Sequence, residues 1–384
     1  MIYMDNAATS WPKPETVYQA VERTLRQGGG NPGRGSYRMA LSAGETLKET
    51  RMLCAQLFHA KDPDSISFAY NATTALNLAL KGILQPGDHV LTSRMEHNAV
   101  ARPLKRMEDM GIRTTKVQTS VDSGIDLEAL EAAIEAETKL IVCSHVTNVT
   151  GTVNPLKEIG ALCRRRGILF LVDASQSAGT RAIDVQEMGI DMLAFTGHKG
   201  LLGPQGTGGL YLREGLQLQT LIEGGTGSVS ESLFQPEKGP SRYESGTQNG
   251  PGIAGLGEGI RFLLKEGIET IGKREAFLTD RLLSGFSLLE NVRVYGPAPG
   301  FPRGNVVSIA IHGFETSDIA MALDQVFEIS VRSGLHCAAD AHQLLGTADT
   351  GGLVRFSPGY FTTEDEIDQC IEAVSAISRG EVIL

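Results

Sequence analysis

The segment Met192-Leu-Ala-Phe-Thr-Gly-His-Lys-Gly-Leu-Leu-Gly203 joins a short apolar run to a lysine and a glycine-rich turn. The run from Met192 to Phe195 has the length of a buried strand, and a Thr-Gly pair ends it. Lys199 follows almost at once, at the position where open α/β sheets bind ligands. An amine held there can lose part of its hydration and become nucleophilic near neutral pH. A lone lysine is more often an ordinary surface residue, so the interpretation depends on the residues that accompany it.

Composition excludes several classes of protein. Of the 384 residues, 41% are hydrophobic and 21% are charged, as is usual for a globular protein. A formal net charge of -10 disfavours a nucleic-acid partner, which requires a basic surface. No apolar run approaches the ~20 residues that a membrane helix needs. Because the five cysteines are odd in number and widely spaced, they do not indicate a disulfide framework, and we expect a cytoplasmic protein.

The middle of the chain has the pattern of a parallel sheet. Apolar runs of strand length alternate with amphipathic runs of helix length, and strands are expected at residues 65–69, 89–93, 113–118, 139–145, 167–172 and 192–195. This alternation predicts βαβ units and a mostly parallel sheet flanked by helices. Residues 224–255 are rich in Gly, Ser and Pro, and we interpret them as a loop or hairpin excursion that ends this unit.

The length of the chain suits two domains. We expect residues 15–256 to form the large α/β domain and residues 257–384 to form a smaller α+β domain. Strands of the small domain are predicted at residues 292–295, 306–311 and 330–332. Residues 1–14 are expected to be an N-terminal arm that packs on the small domain.

An acid follows one of the predicted strands. Asp173 ends the apolar run that begins at Gly167. An unpaired buried carboxylate is costly, so this side chain needs a partner. It either caps a following helix or pairs with the ring nitrogen of a pyridinium cofactor. Gln176, three residues further on, could donate a hydrogen bond to a ring oxygen from the same turn.

Two further features follow predicted strands. The segment Asn71-Ala-Thr-Thr74 opens a helix, and a helix N-terminus readily binds phosphate, although simple N-capping would also explain a threonine there. His97 is either a structural histidine or a flat ring that stacks on a cofactor. Taken together with Lys199 and Asp173, a phosphate cradle and a stacking ring describe a pyridoxal-phosphate site.

Three motifs carry a family resemblance: Asp173-Ala-Ser-Gln176, Thr196-Gly-His-Lys199 and His145-Val-Thr-Asn-Val-Thr-Gly151. They resemble the signatures of class V aminotransferases, and of cysteine desulfurases in particular, and the resemblance extends from Asp5 to Arg355. It implies a fold-type I pyridoxal-phosphate enzyme that works as a homodimer with active sites at the subunit interface.

The resemblance also implies roles for individual residues. Lys199 would bond the aldehyde carbon of the cofactor and act in catalysis, Asp173 would face the pyridine nitrogen, and Gln176 would reach the ring hydroxyl. His97 would stack on the ring and exchange a proton with the substrate. The positions around the cofactor phosphate would be Thr73, Thr74, Thr196, His198 and, from the other subunit, Thr247. The positions that hold the substrate would be Asn148, Arg332 and Arg355. Asn148 would also contact the cofactor, and Arg355 would bind the substrate carboxylate through two parallel hydrogen bonds.

The segment Val331-Arg-Ser-Gly-Leu-His-Cys-Ala338 resembles the cysteine-bearing loop of the desulfurase branch. A thiol is only partly ionised at pH 7, and neighbouring positive charge increases the thiolate fraction. Arg332 and His336 are the candidate neighbours of Cys337. A metal site formed by His336, Cys337 and His342 fits no standard zinc spacing, so we expect no metal. Leu335 stands where the branch usually has a histidine, and Gly200 resembles a one-residue insertion after the lysine.

The sequence therefore predicts a cysteine desulfurase that converts L-cysteine to L-alanine and leaves the sulfur as a persulfide on Cys337. A sulfur-acceptor protein is a possible partner. A selenocysteine lyase would use the same site on L-selenocysteine. Another class V aminotransferase or lyase, with Cys337 incidental, is the second alternative. A non-enzymatic binding module is the third alternative. It would not explain why Lys199 and Asp173 are placed together, since that pairing serves a cofactor.

Overall fold

The computed structural model describes residues 1–382, and its largest sheet contains seven strands. In spatial order these are β2 (Ile66–Ala69), β10 (Gly208–Leu212), β9 (Met192–Thr196), β8 (Leu169–Asp173), β7 (Thr138–Ser144), β3 (His89–Thr92) and β4 (Arg113–Lys116). Neighbouring strands are parallel except where β10 pairs with β2 and with β9. Because the carboxyl ends of parallel strands share one edge, the last residues of β7, β8 and β9 lie side by side.

Helices cover both faces of this sheet. They are α1 (Glu15–Gln27), α2 (Arg38–Leu57), α3 (Ala72–Ile83), α4 (Asn98–Glu108), α5 (Leu127–Ala132), α6 (Leu156–Arg166) and α7 (Gly250–Glu266). Successive residues of β7 alternate between the two faces, as the pleat of a strand requires. Ile141 joins the core that α2, α6 and α7 complete, whereas Val142 joins the core under α3 and α4. The central strands are therefore buried on both sides, which explains their continuous apolar runs.

The C-terminal part of the chain forms a second sheet, which is antiparallel. Its strands, in spatial order, are β11 (Val292–Tyr295), β12 (Val307–Ile311), β15 (Leu353–Phe356) and β14 (Arg332–Gly334). The helices of this part are α8 (Ile268–Ser287), α9 (Thr316–Phe327), α10 (Ala339–Leu345) and α11 (Glu364–Ser378). At the N-terminus, β1 (Ile2–Tyr3) pairs in parallel with β13 (Ile329–Ser330), and Ile2 and Met4 join the core of this sheet. A small hairpin of β5 (Thr119–Ser120) and β6 (Gly124–Ile125) completes the strands.

Several predicted elements need correction. Strand β10 is not predicted from the sequence, because its first two residues, Gly208 and Gly209, resemble part of a loop. The single strand predicted at residues 330–332 is wrong, because the chain changes partners there: β13 pairs with β1, and β14 pairs with β15. Helix α7 begins at Gly250, within the predicted excursion, and the segment before it contains one 3-10 turn at Pro240–Arg242.

The bounds of the helices bear on the predicted domain boundary and on membrane spans. The predicted division at residues 256 and 257 falls inside the continuous helix α7, and it stays a proposal. Within residues 1–382, no helix combines the length and the apolarity that crossing a bilayer requires.

Candidate active site

A cavity of about 230 Å³ opens at the carboxyl edge of the large sheet. The last residues of three neighbouring strands line it: Ser144 of β7, Asp173 of β8 and Thr196 of β9. Lys199 reaches the same cavity from the turn after β9. The other predicted site residues in its wall are Thr73, His97, Asn148, Gln176, His198 and Arg332. The fold thus brings together predicted site residues that are up to 259 positions apart in the sequence, from Thr73 to Arg332, and the arginine comes from β14 of the second sheet.

Lys199 has the electrostatic setting of a reactive amine. Its pKa is lowered from 10.5 to about 8, mainly by burial and next by the nearby charge of Arg355. The carboxylates of Asp173 and Asp5 act in the opposite direction, while Arg332 adds to the lowering. A substantial fraction of the amine is therefore neutral near pH 8 and can attack an aldehyde carbon.

Asp173 is 4% exposed and lies at the floor of the cavity. Its Oδ1 accepts hydrogen bonds from the backbone N–H of Ser175, at 2.9 Å, and from the Ser175 hydroxyl, at 2.5 Å. It stabilises a local turn and does not cap a helix, so the capping alternative is not what the structure shows. Gln176 donates from Nε2 to the backbone carbonyl of Ala7, which fixes its amide at the cavity wall. An acid and an amide held beside an amine suit the ring of a pyridoxal cofactor.

The N-terminus of α3 forms another part of the cavity wall. Asn71 is its N-cap: its Oδ1 accepts from the backbone N–H of Thr74 at 2.9 Å and from the Thr74 hydroxyl at 3.2 Å. Thr73 faces the cavity, whereas Thr74 does not line it. Burial lowers the pKa of His198 to about 4, and its Nδ1 is buried without a hydrogen-bond partner among the described residues. A helix N-terminus and an unpaired imidazole nitrogen fit the phosphate of the cofactor.

His97 caps α4 with its own ring. Its Nδ1 accepts from the backbone N–H of Ala99 at 3.0 Å, which leaves the proton of the neutral ring on Nε2. Burial lowers the pKa of His97, Asp173 raises it, and Lys199 lowers it again. The imidazole in the cavity wall is therefore neutral at neutral pH.

The loop between β14 and α10 carries an exposed thiol next to this cavity. Cys337 is exposed, and its backbone carbonyl accepts from the N–H of Asn98 at 2.7 Å. The side-chain amide of Asn148 donates to the backbone carbonyl of His336 at 2.6 Å. Both His336 and Cys337 have left-handed backbone angles, with φ of 48° and 59°, which is a strained conformation for such residues.

Of the two candidate neighbours of the thiol, the arginine makes the contact. Arg332 Nη2 lies 3.1 Å from Cys337 Sγ. The ring of His336 instead points into the protein, where its Nε2 hydrogen-bonds the backbone carbonyl of Arg332 at 3.1 Å. Burial and the charge of Arg355 lower the pKa of His336 to about 2, so this histidine carries no charge that would favour a thiolate.

Besides Cys337, three predicted site residues lie outside the cavity wall. Arg355 is 0% exposed and pairs with Asp5 through Nη2 and Oδ1 at 2.8 Å. Thr247 is exposed, and its hydroxyl accepts from Nδ2 of Asn31 at 3.1 Å. Thr74 is the third. The family resemblance begins at Asp5 but gives this residue no role, because nothing local to it indicates a partner 350 positions away.

The predicted absence of a metal concerns the same loop. The rings of His336 and His342 lie with their centroids 5.5 Å apart. Across residues 1–382, no three side chains of His, Cys, Asp or Glu are grouped so that they could hold a metal ion.

Comparison with known proteins identifies the class to which this fold and cavity belong. A family model described as aminotransferase class-V matches residues 2–370, and the chain belongs to that family. Within it, the similarity is to cysteine desulfurases, as the motifs predict. The chain is 35% identical over 382 residues to a probable cysteine desulfurase of Methanothermobacter thermautotrophicus, which covers 98% of this chain and 94% of that protein.

Two more comparisons agree. The cysteine desulfurase IscS of Pectobacterium carotovorum is 35% identical over 389 residues, covering 97% of this chain and 91% of that one. The apo structure of a cysteine desulfurase from Thermococcus onnurineus superposes with a TM-score of 0.92 at 31% identity, covering 99% of this chain and 95% of the other. The predicted fold-type I architecture is confirmed.

Proposed function

We propose that the protein is a pyridoxal-phosphate-dependent cysteine desulfurase that converts L-cysteine to L-alanine and receives the sulfur on Cys337. The observation that carries this proposal is the position of the thiol. The Cys337 loop is hydrogen-bonded to Asn98 and Asn148, next to a cavity that contains Lys199 and Asp173. Aminotransferase chemistry needs no exposed thiol at this place.

The residues of the cavity suit the cofactor at both of its ends. Lys199 would bond its aldehyde carbon, Asp173 would pair with its ring nitrogen, and Gln176 would donate to its ring hydroxyl. The group supplies an electron-withdrawing ring that makes the substrate Cα–H acidic. The residues proposed to hold its phosphate are Thr73, Thr74, Thr196, His198 and, from a second copy of the chain, Thr247.

Lys199 and His97 are the groups available to move protons. An amine whose pKa is about 8 is a suitable base for the Cα proton, because its protonated and neutral forms are both populated near pH 8. The neutral ring of His97 has its Nδ1 occupied by the N–H of Ala99, so Nε2 is the atom that can exchange a proton with the substrate.

Cys337 is proposed as the sulfur acceptor. Its thiolate attacks the sulfur of the substrate: the new S–S bond forms as the substrate C–S bond breaks, and the electron pair of that bond remains on the carbon skeleton. Protonation of this carbon gives L-alanine, and the enzyme keeps a persulfide. Arg332 Nη2 donates a hydrogen bond to Sγ at 3.1 Å and so orients the sulfur. Strain at Cys337 is a reason for the loop to change conformation readily.

Substrate binding and partners complete the proposal. Asn148 and Arg355, with Arg332 at the cavity wall, would hold the amino-acid substrate. We infer a cytoplasmic homodimer that passes its sulfur to an acceptor protein. L-selenocysteine is a second candidate substrate, and comparing the turnover of the two amino acids on one preparation separates the two activities.

The experiment that tests the function uses the thiol itself. Purified protein loaded with pyridoxal phosphate should be yellow and should form alanine from L-cysteine in the presence of a reductant. Cys337→Ser should keep the colour and lose alanine formation by at least about 100-fold, since the nucleophile is removed. Leu335→Ala, at an exposed neighbour in the same loop, is the control and should keep the activity. If Cys337→Ser produced alanine at the wild-type rate, Cys337 would be incidental and the enzyme would be another lyase of the family.

A further inference from the structure

Arg355 is the most deeply buried cation near the site. Its side chain is 0% exposed, Nη1 donates to the backbone carbonyl of Asn148 at 3.0 Å, and Nη2 pairs with Asp5 at 2.8 Å. Its Nε is buried and has no hydrogen-bond partner among the described residues. Both terminal nitrogens are therefore held by the protein, while the N–H of Nε and the second hydrogen of each terminal nitrogen stay available to a ligand.

Asp5 reaches this arginine because the N-terminal arm is tied down on both sides. The backbone of Asp5 bridges to Ser357, directly after β15, and the N–H of Met4 donates to Ser330 at 2.9 Å. The hydroxyl of Tyr3 donates to the carbonyl of Asp5 at 3.2 Å and to that of Thr9 at 2.8 Å. The carboxylate is thus held on the arginine by the fold of the arm, and it is not a mobile surface acid.

Asp5 also belongs to the set of charges that surrounds Lys199. Arg355 from β15 and Arg332 from β14 lower the pKa of the lysine, whereas Asp173 from β8 and Asp5 from the arm raise it. The two remaining titratable rings of the cavity wall are those of His97 and His198, and both are neutral at neutral pH because burial lowers their pKa values. Asp5 is the only carboxylate of this set that contacts Arg355 directly within residues 1–382.

We propose that Asp5 is a positioning residue: it holds the guanidinium of Arg355 in the orientation that receives the α-carboxylate of the substrate, and its charge balances that arginine beside Lys199. This inference rests on the proposed function, since it requires an amino-acid substrate. The N-terminal arm would then affect substrate affinity directly. Without the Asp5 carboxylate, the guanidinium of Arg355 would lose its fixed orientation and would be a buried cation without a partner.

The test uses the cofactor-loaded protein and two ligands that differ by a carboxylate, L-alanine and ethylamine. Binding is followed through the absorbance of the cofactor. Asp5→Ala should raise the dissociation constant of L-alanine by at least about tenfold and leave that of ethylamine within about twofold. Asp5→Asn keeps an oxygen that can accept from Nη2, so its L-alanine affinity should stay within about threefold of the wild type. In both variants the pH midpoint of the cofactor absorbance should move to lower pH, because a negative charge near Lys199 is lost.

Ile2→Ala is the matched control, since it weakens the packing of the arm without touching the arginine. It should leave the L-alanine affinity and the pH midpoint unchanged. Equal losses in Ile2→Ala and Asp5→Ala, or equal losses for both ligands, would overturn the inference and leave only a structural role for the arm. A wild-type protein that bound the cofactor and ethylamine but not L-alanine would contradict the proposed function itself.

Discussion

Glu275 on α8 is a buried acid whose protonation couples stability to pH. Its Oε2 has no hydrogen-bond partner among the described residues, and the backbone N–H of Tyr360 hydrogen-bonds the carboxyl group. Burial raises its pKa from 4.5 to about 8. The side chain is therefore neutral in the folded protein at pH 7, whereas it is ionised in the unfolded chain.

This coupling has a definite sign. Between about pH 4.5 and pH 8 the folded state holds a proton that the unfolded state has released, so the free energy of unfolding falls as the pH rises through this window. In the wild type, the free energy of unfolding should fall by up to about 4 kcal/mol across this window, and Glu275→Gln should abolish that fall. Urea midpoints measured at pH 5 and pH 8 check this, and only the difference between the two pH values is compared. Equal pH dependence in the wild type and the variant would show that Glu275 is ionised in the fold.

At this scale the sequence predicts some residues of the site and not others. Asp173, Thr196 and Lys199 can be predicted because the first two end buried strands and the third follows one, and parallel strands end at a common edge. Asp5 and Arg355 cannot be paired in this way. They meet because the arm crosses to the second sheet, and neither residue has a local pattern that records the other.

Among the elements, α2 is tied to the segment before α7 by a buried ion pair. Arg51 donates to both carboxylate oxygens of Glu244, at 2.7 and 2.9 Å, and both side chains are about nine-tenths buried. The backbone N–H of Phe68, in β2, donates to the same carboxylate at 2.6 Å. Since Thr247 is three residues from Glu244, this pair fixes the position from which Thr247 is proposed to reach a phosphate.

Breaking this pair should affect both stability and cofactor retention. Arg51→Ala leaves Glu244 buried without its cation, which typically costs about 3–5 kcal/mol. We expect a lower urea midpoint and faster loss of pyridoxal phosphate on dialysis. Arg26→Ala removes an exposed pair with Glu22 and should change stability by less than about 1 kcal/mol. An Arg51→Ala protein with wild-type stability would indicate that the pair contributes little.

The elements that the sequence does not predict share a physical cause. Strand β10 begins with Gly208 and Gly209, which weaken any strand pattern. A side chain at position 209 would collide with the ring of Phe195, so glycine is required there for close packing against β9. Likewise, residues 329–334 change partners within six positions, and hydrophobic periodicity cannot show which strand a neighbour will pair with.

For the whole molecule, the position of Thr247 decides whether one chain can form a complete site. Thr247 is exposed and does not line the cavity that contains Lys199. If it binds the cofactor phosphate of a second copy, each site of the proposed homodimer takes Lys199 from one subunit and Thr247 from the other. Light scattering should then report about twice the chain mass of 41.1 kDa.

Mixing two variants, each impaired in one part of the site, tests this arrangement. Lys199→Ala removes the amine, and Thr247→Ala should weaken phosphate binding by about tenfold, as the loss of one hydrogen bond to an anion does. A mixed dimer of the two variants has one site with both substitutions and one site with neither, because the intact lysine and the intact threonine then meet across the interface. After unfolding and refolding together at limiting pyridoxal phosphate, the mixture should be clearly more active than the average of the two variants refolded separately. If Thr247 served the site of its own chain, each site of the mixed dimer would carry one substitution, and the mixture would be no more active than the average of its parents.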